Sequence, residues 1–373
     1  MKLITAGESH GKSLTAIIEG LPSQLNIDIK EINDYLALRQ SGYGRGARQK
    51  IESDRVEILS GVRGGQTLGS PVALSIKNKD YENWQEVMSP ESCDISKRTL
   101  TNVRPGHADL TGMIKYNQTD ARNILERASA RETAVRVAAG TVARQYLRAL
   151  GIEVSGYVKG VCGVIDPNIY PFERLSSAKK EPLFMLDKDI QNRAISLLDE
   201  LKKEGDTAGG IIEVRVKGLK SGFGSCMQYS TKLDAILCGA LMSIQAIKGV
   251  EVGLGFEAAN LRGSKVQDEI FYDGRFYRKT NNAGGIEGGM SNGEEIILRA
   301  AMKPIPTLMK GLRTVDYNTK EAVTAASERS DVAAICAAEI IAESVVCFAL
   351  AEVVTERLGG DYMQEVCDRY SKL

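Results

Sequence analysis

Histidine is scarce in this chain, whose 373 residues include only two, His10 and His107. Each lies in a short glycine-containing loop, at 7–11 and 104–109, with a carboxylate two residues away. A structural histidine is the commoner case, but neither loop has the apolar periodicity of a core element, and arginine-rich segments follow both. Because histidine exchanges a proton near neutral pH, the pattern predicts one site with two proton-transfer groups.

Features typical of several other protein classes are also missing. The seven cysteines are unequally spaced and include no Cys-x-x-Cys pair, which argues against a disulfide framework or a metal site and predicts reduced thiols in the cytoplasm. Basic and acidic residues balance at 48 each, so no nucleic-acid partner is expected. Residues 1–7 are too short for the apolar part of a signal peptide. The most apolar stretch, 332–351, contains Glu339 and Glu343, which favours a buried helix over a membrane span.

Two common nucleotide-binding loops are absent. The glycine- and arginine-rich loop at 39–50 is not a Walker loop, because no Gly-Lys-Ser/Thr ends it and no strand leads into it. No Gly-x-Gly-x-x-Gly follows a first strand, so a doubly wound sheet is not expected. Residues 39–50 instead combine glycines with Arg39, Arg45, Arg48 and Lys50. Glycine lets a backbone approach a ligand closely, and arginine grips phosphate or carboxylate through two N–H groups. The segment predicts an anion site, with a mobile basic loop as the alternative.

The apolar periodicity predicts both strands and helices. We predict strands at 13–19, 56–58, 72–76, 211–216, 250–256 and 296–298, and helices at 28–39, 133–150 and 233–247, with a last helix that starts at 327–331 and ends at Gly359-Gly360. Residues 79–104, which carry the single tryptophan Trp84, resemble an insertion that packs or forms a lid. Helices that are apolar on nearly every face need cover on both sides. We therefore expect an α+β fold with helices sandwiched between largely antiparallel sheets.

The two halves of the chain resemble each other weakly. Segment 18–21 is echoed by 216–219, and 129–133 before one helix is echoed by 327–331 before another. We expect one domain, 1–373, built from pseudo-repeat halves at about 1–151 and 205–360 with 152–204 as a connector. Chance similarity between glycine turns is the alternative.

Six motifs, taken together and in order, resemble the chorismate synthase family. They are Gly7-Glu8-Ser9-His10-Gly11, Gly42-Tyr43-Gly44-Arg45-Gly46, Arg104-Pro105-Gly106-His107-Ala108-Asp109, Arg127-Ala128-Ser129-Ala130-Arg131-Glu132-Thr133, Asn281-Asn282 with Gly288-Gly289-Met290, and Ser327-Glu328-Arg329-Ser330-Asp331. Each motif alone is weak, but the set spans nearly the whole chain. Ala128 departs from the pattern, since many family members carry serine there; a backbone contact would survive this change.

The resemblance implies a reaction and its participants. The substrate would be 5-enolpyruvylshikimate 3-phosphate, and an anti-1,4-elimination would give chorismate and phosphate. Reduced FMN (FMNH2) would be required without net redox change, with NADPH as a possible source of flavin reduction. Family members are homotetramers, so a homotetramer is expected here, with no membrane partner.

The resemblance also implies residue roles. His10 would assist the leaving phosphate, His107 would stabilise the flavin near N1, and Asp331 would act with flavin N5 in ring-proton removal. The phosphate and two carboxylates of the substrate would be bound by arginines, namely Arg39, Arg45, Arg48, Arg104 and Arg131. Arg39 and Arg45 also match family positions associated with NADP. The implied FMN contacts are Arg127, Ala128, Ser129, Gln245, Ala246, Gly288, Lys303, Pro304, Ile305, Pro306, Thr307 and Arg329.

Two other functions fit parts of the pattern. A phosphate-binding transferase or small-molecule kinase could use the glycine and arginine loops. Against this function, the 39–50 loop is not a Walker loop and the sequence shows no clear carboxylate metal site. A nucleic-acid-binding module could use the basic segment 122–148, but the zero net charge and the lack of interleaved aromatics oppose it.

Overall fold

The computed structural model describes residues 1–45, 53–325 and 331–373. Its strands are β1 (Lys2–Ala6), β2 (Ser13–Glu19), β3 (Val56–Ser60), β4 (Val62–Arg63), β5 (Gln66–Thr67), β6 (Val72–Lys77), β7 (Glu153–Val161), β8 (Val164–Ile165), β9 (Gly210–Lys217), β10 (Ile247–Val252), β11 (Ile270–Tyr272), β12 (Phe276–Arg278), β13 (Ile286–Glu287), β14 (Met290–Ser291), β15 (Ile296–Met302), β16 (Arg313–Val315) and β17 (Ala322–Thr324). Its α-helices are α1 (Ile29–Gln40), α2 (Asp109–Tyr116), α3 (Arg122–Ala128), α4 (Thr133–Ala149), α5 (Phe172–Leu175), α6 (Lys188–Glu204), α7 (Leu233–Met242), α8 (Gly263–Val266), α9 (Ile335–Leu358) and α10 (Met363–Ser371).

The strands form two larger sheets and several two-stranded hairpins. The first sheet has the order β1-β2-β6-β3 and the second β10-β15-β9-β7-β8. Every pairing within these two sheets is antiparallel. The chain is thus an α+β protein with antiparallel sheets, as predicted.

The two longest apolar helices lie against each other in the core. Helix α4 contacts β2 and β6 of the first sheet, and α9 contacts β7 and β9 of the second. They approach closely where Gly140 of α4 faces Ser344 of α9, since a Cβ added at Gly140 would lie 2.6 Å from the Ser344 Cβ. The absence of a side chain at Gly140 therefore sets the spacing of the helix pair.

Helix α9 is buried along most of its length, as the apolar stretch 332–351 predicted. Glu339 and Glu343 lie within it and bond to Lys179 Nζ at 2.6 and 2.7 Å, and Glu343 also bonds to Arg144 at 2.6 Å. Across the described ranges, no helix has the length and hydropathy that crossing a membrane requires.

Several predicted boundaries are wrong. Helix α7 ends at Met242 rather than Ile247, and the turn that follows it includes Ala246 at a φ of 68°, outside the right-handed helical region. The strand predicted at 250–256 is β10, which begins at Ile247 and ends at Val252. The last long helix begins at Ile335 rather than at 327–331, but it ends at Leu358, directly before Gly359-Gly360 as predicted; α10, which follows these glycines, was not predicted. Strand β1 was not predicted.

Among the described residues, α7 is covered on one face rather than on both sides as expected. Leu233, Leu237 and Leu241 are buried, spaced four residues apart on one face. Ala235 and Met242 are exposed, and Met242 leaves 46% of its surface in solvent. One protomer therefore buries a single face of α7.

Candidate functional site

The His10 loop is fastened to α3 by a carboxylate that is distant in sequence. Both Glu126 oxygens lie near His10 Nδ1, at 3.0 and 3.1 Å, and the His10 backbone N–H donates to Glu126 Oε2 at 2.8 Å. The backbone N–H of Ser9 donates to the Glu126 carbonyl, also at 2.8 Å. The sequence-adjacent carboxylate is that of Glu8, but the ring is held by Glu126.

Glu126 is buried but ionised. Burial raises its pKa, but hydrogen bonds and charge from His10 and a hydrogen bond from Arg122 outweigh that effect, so the pKa lies below its ordinary value. Arg122 Nη1 donates to Glu126 Oε1 at 3.1 Å. An ionised carboxylate only accepts hydrogen bonds, so the proton in the Nδ1 contact belongs to the imidazole.

Trp84 covers one face of the His10 ring. The ring centroids are 3.9 Å apart with an interplanar angle of 28°. Trp84 is itself buried, its indole N–H donates to Asp80 Oδ2 at 3.0 Å, and the guanidinium carbons of Arg98 and Arg122 lie 4.4 and 5.0 Å from its ring. The segment predicted to be an insertion therefore contributes directly to the histidine's surroundings.

The His107 loop has its own carboxylate, supplied locally. His107 Nδ1 lies 2.5 Å from Asp109 Oδ1, and Arg104 donates from Nε to Asp109 Oδ2 at 2.7 Å and from Nη2 to Oδ1 at 3.0 Å. Asp109 is fully buried, which alone raises its pKa, but hydrogen bonds and charges from His107 and Arg104 hold the pKa well below its usual range. Arg104, predicted to bind substrate, is buried and engaged with this loop.

Arg39 and Arg131 converge on one carboxylate that sequence reasoning missed. Asp54 Oδ2 accepts from Arg39 Nη2 at 3.0 Å and from Arg131 Nη1 at 2.5 Å. Burial lowers the pKa of Arg39 to about 10; Asp54 opposes this effect, and the positive charges of Arg131 and Arg45 add to it. Arg39 Nε is buried and has no hydrogen-bond partner among the described residues. Positive charge therefore exceeds the carboxylate charge that compensates it.

Arg45 pairs with the predicted catalytic carboxylate. Its Nη1 lies 2.9 Å from Asp331 Oδ2, and both side chains are largely buried. Burial lowers the pKa of Arg45, and Asp331 offsets only part of that effect. Arg45 Nε is a second buried guanidinium nitrogen without a hydrogen-bond partner in the described ranges.

Asn78 joins the His10 loop to this basic cluster. Its side-chain amide donates to the carbonyls of Ser9 at 2.8 Å and Gly11 at 2.7 Å, and its Oδ1 accepts from Arg131 Nε at 3.1 Å. Asn78 directly follows the last residue of β6, an inner strand of the first sheet, so the end of that strand positions it. The His10 loop and Arg131 are therefore held by one side chain.

A second set of contacts runs from Glu132, the residue after Arg131, to the His107 loop. Glu132 Oε1 accepts from Gln245 Nε2 at 2.8 Å, and the Ala246 carbonyl accepts from the Lys303 backbone N–H at 2.9 Å. Lys303 Nζ donates to the Gly106 carbonyl at 2.6 Å. The contacts thus form a continuous path from the His10 loop to the His107 loop.

Two features of this second set suit a ligand. Gln245 Oε1 is buried without a hydrogen-bond partner among the residues described. Gly106 has a φ of +74°, and a Cβ there would lie 3.1 Å from Lys303 Nζ and 3.4 Å from Pro306 Cβ, so 303–306 packs directly on the His107 loop. This second set therefore offers a buried acceptor without a partner at Gln245 and a cation, Lys303, in contact with the His107 loop.

The other predicted residues lie at varied distances from these contacts. Arg127 donates to the Gly7 carbonyl at 3.1 Å and Ser129 Oγ accepts from the Arg131 N–H at 3.3 Å, so both adjoin the His10 side. Gly288 lies at the start of α7, where the carbonyl of the next glycine accepts from Leu233 N at 2.8 Å. This helix of 10 residues, about 15 Å long, separates Gly288 from Gln245. Arg48 and Arg329 fall outside the described residues.

The structure adds five polar or aromatic residues to the candidate site, which are Asp54, Asn78, Trp84, Glu126 and Glu132. The available signals were the single tryptophan and the four-residue spacing of Arg122 and Glu126 in α3, but neither indicates a partner. No group of three or more metal-ligating side chains occurs within 1–45, 53–325 and 331–373.

Comparisons with known proteins agree with one another. The sequence model described as chorismate synthase matches residues 1–355. Chorismate synthase of Alkaliphilus metalliredigens is 54% identical over 368 residues, covering 98% of this chain and 97% of the relative. That of Syntrophotalea carbinolica is 53% identical over 370 residues, covering 98% and 96%. A crystal structure of chorismate synthase superposes with a TM-score of 0.80 at 39% identity, covering 100% of this chain and 96% of the other. The chain therefore belongs to the chorismate synthase family.

Proposed function

We propose that this protein is a chorismate synthase that converts 5-enolpyruvylshikimate 3-phosphate to chorismate and phosphate by anti-1,4-elimination, with reduced FMN required. The observation that carries the proposal is the path of contacts joining His10, Arg131, Gln245, Lys303 and the His107 loop. These contacts link a cluster of arginines and two histidine loops. A substrate with three anionic groups and a flavin phosphate both require such positive charge.

The arginines bind the substrate anions. Arg39, Arg45 and Arg131 carry more positive charge than Asp54 and Asp331 neutralise, and their buried N–H groups cost free energy until an acceptor arrives. Arg48 and Arg104 complete the proposed set. A role in substrate binding is sufficient for Arg39 and Arg45, so NADP is not needed to explain them.

His10 assists departure of the phosphate. The C–O bond breaks with its electron pair moving to the phosphate oxygen, and the His10 imidazolium donates a hydrogen bond or a proton to that oxygen. A positioned proton donor contributes about 100- to 10,000-fold in rate. Asp331 serves the removal of the ring proton once substrate anions engage Arg45 and loosen the ion pair.

The residues beside His107 fit reduced FMN. Gln245 Oε1 is an orphaned buried acceptor, and the Lys303 ammonium is a cation suited to phosphate. His107, fixed through Asp109, would stabilise negative charge near flavin N1, while Arg127, Ala128, Ser129, Ala246, residues 304–307 and Arg329 would complete the contacts. When bound, reduced flavin would supply an electron-rich ring for the elimination. We propose NADPH as the source of electrons that reduce FMN when no other reductant is supplied.

We propose a sandwich and an internal duplication for the architecture. Elements β1, β2, α1, β3, β6 and α4 recur in the same order as β7, β9, α7, β10, β15 and α9, and the sheet orders β1-β2-β6-β3 and β7-β9-β15-β10 correspond. Strand β7 would then begin the second half, and the connector would be 162–209 rather than 152–204. Superposition of the halves tests this idea; unrelated helix directions would contradict it.

We also propose a cytosolic homotetramer. All seven cysteines are free thiols. The exposed face of α7, with Ala235, Gly239 and Met242, offers apolar surface for a neighbouring copy, which could also place its Gly288 near the flavin. Light scattering should give a mass four times the 40.5 kDa of one chain. A single-chain mass at working concentration would contradict the proposal.

Incubation with substrate and anaerobically reduced FMN, without ATP or metal, tests the function. Chorismate absorbance and released phosphate should rise together in equal amounts. A kinase or other transferase would need a donor such as ATP and would release no chorismate. No product under these conditions would contradict the proposed activity.

A further inference from the structure

The His10 imidazole is constrained from two independent directions. Glu126 engages Nδ1 and the backbone N–H of the same residue, while Trp84 covers a ring face at 3.9 Å. The first constraint fixes rotation about the Cβ–ring bond, and the second fixes the plane of the ring. The family resemblance assigns no role to Glu126 or Trp84.

The two constraints are themselves held by a common cation. Arg122 donates to Glu126 at 3.1 Å and lies 5.0 Å from the Trp84 ring, with Arg98 over the same ring at 4.4 Å. Asp80 fixes the indole N–H at 3.0 Å. The side chains around His10 therefore cannot reorient singly without breaking charge-assisted contacts.

We infer that Glu126 and Trp84 are positioning residues that hold the Nδ1–H tautomer of His10 and direct Nε2 toward the substrate phosphate. The role of the phosphate rests on the proposed function. In the proton transfer from the His10 imidazolium, the Nε2–H bond breaks and an O–H bond forms on the leaving phosphate. The remaining imidazole proton stays at Nδ1, where Glu126 accepts its hydrogen bond. His107 is arranged in the same way, with Asp109 at Nδ1 and Arg104 behind it.

The chain makes the tautomer directly measurable, because uniform ¹⁵N-histidine labelling produces signals from only two imidazoles. His10→Ala assigns them. In its neutral form, wild-type His10 should show a protonated Nδ1 and an unprotonated Nε2. Glu126→Leu should shift the signals to a mixture of tautomers, whereas Glu126→Gln, whose amide oxygen still accepts, should retain the wild-type pattern.

Turnover gives the second readout. Glu126→Leu should lower kcat about 100-fold, the lower end of what a positioned proton donor contributes, with KM changed by less than about twofold because the arginine contacts remain. Trp84→Ala should lower kcat in the same direction, and Trp84→Phe should restore most of it. Glu8→Gln, which removes the sequence-adjacent carboxylate, is the matched control and should leave both readouts unchanged.

The outcomes separate this inference from the proposed function. An unchanged His10 tautomer in a folded Glu126→Leu protein would overturn the inference, as would equal losses in Glu8→Gln. If Glu126→Leu does not fold, an unprotonated Nδ1 in wild-type His10 would overturn it, and the protonated Nδ1 would support it. A wild-type protein with the expected tautomer but no chorismate production would instead contradict the proposed function.

Discussion

Arg45 Nη1 lies 2.9 Å from Asp331 Oδ2, which pairs a residue predicted to bind substrate with the carboxylate predicted to assist proton removal. Each was predicted separately, from motifs 286 residues apart in the sequence. The ion pair engages one carboxylate oxygen of Asp331 and one guanidinium nitrogen of Arg45. In our proposal, a substrate anion that competes for Arg45 weakens this pair as the substrate binds.

Arg45→Ala should weaken turnover at low substrate most strongly. Losing a hydrogen bond to a charged group costs about 1.5 to 3 kcal/mol, so we expect kcat/KM to fall about 10- to 150-fold. Arg45→Lys should recover only part of the loss, because an ammonium lacks the two-pronged geometry. Steady-state kinetics check this, with Arg63→Ala as an exposed control. Equal kcat/KM in Arg45→Ala and Arg63→Ala would remove Arg45 from substrate binding.

Lys303→Met should weaken flavin binding. Its ammonium contacts the Gly106 carbonyl, and we expect it to neutralise the flavin phosphate, a charge-assisted contact worth about 1.5 to 3 kcal/mol. Fluorescence titration with FMN should show a Kd raised about 10- to 150-fold. Lys310→Met removes an exposed lysine from the same segment and should bind flavin normally. Unchanged flavin affinity in Lys303→Met would rule out this contact.

Stability should fall as pH rises from 4.5 to about 8 because of one buried acid. Burial, together with the charge of Glu343, raises the pKa of Glu339 to about 8 from its ordinary 4.5, although Lys179 opposes the shift. Between these values the folded protein keeps a proton that the unfolded chain releases, so the stabilising contribution is complete below 4.5 and lost as pH passes through 8.

Glu339→Gln isolates this effect. Urea midpoints measured across that pH range should decline less steeply in the variant than in the wild type. Glu82, an exposed glutamate, provides a control when changed to Gln. Parallel declines in Glu339→Gln and wild type would show that Glu339 titrates as it does in the unfolded chain.

Gly140→Ala should destabilise the contact between α4 and α9. The added Cβ would lie 2.6 Å from the Ser344 Cβ, and forced overpacking of a core costs about 1 to 3 kcal/mol. Equilibrium unfolding measures the loss. Gly263→Ala, where the added Cβ meets nothing within 4 Å, serves as the matched change. Equal stability of the two variants would mean that the helices separate without cost.

The sequence predicted secondary-structure elements better than it predicted which side chains contact the candidate site residues. The fold class, strands β2 and β6, and the helices α1 and α4 followed from periodicity, since an apolar face requires burial wherever the rest of the chain lies. The end of α7 did not, because 243–247 continues the apolar composition and only tertiary contacts impose the turn at Ala246. Glu126 was missed as the partner of His10, because the two are 116 residues apart and nothing local links them.

Charged residues show the same limit. Glu339 and Glu343 favour a buried helix over a membrane span, but their compensation by Lys179 and Arg144 depends on segments 160 and 199 residues away. Trp84 was recognised as unusual, yet its stacking on His10 arises from the folding of the 3₁₀ segment Lys79–Asn83 beside the first sheet. The motifs thus predict reactive groups, and the fold supplies the distant residues that contact them.

A crystal structure of the protein with FMN and 5-enolpyruvylshikimate 3-phosphate is the most direct test of the central claim. We predict that the two molecules stack in one cavity, with His10 Nε2 within hydrogen-bond distance of the substrate phosphate, His107 beside the flavin ring, and Arg39, Arg45 and Arg131 on the substrate anions. Ligands in separate cavities, or a phosphate bound away from His10, would contradict the account.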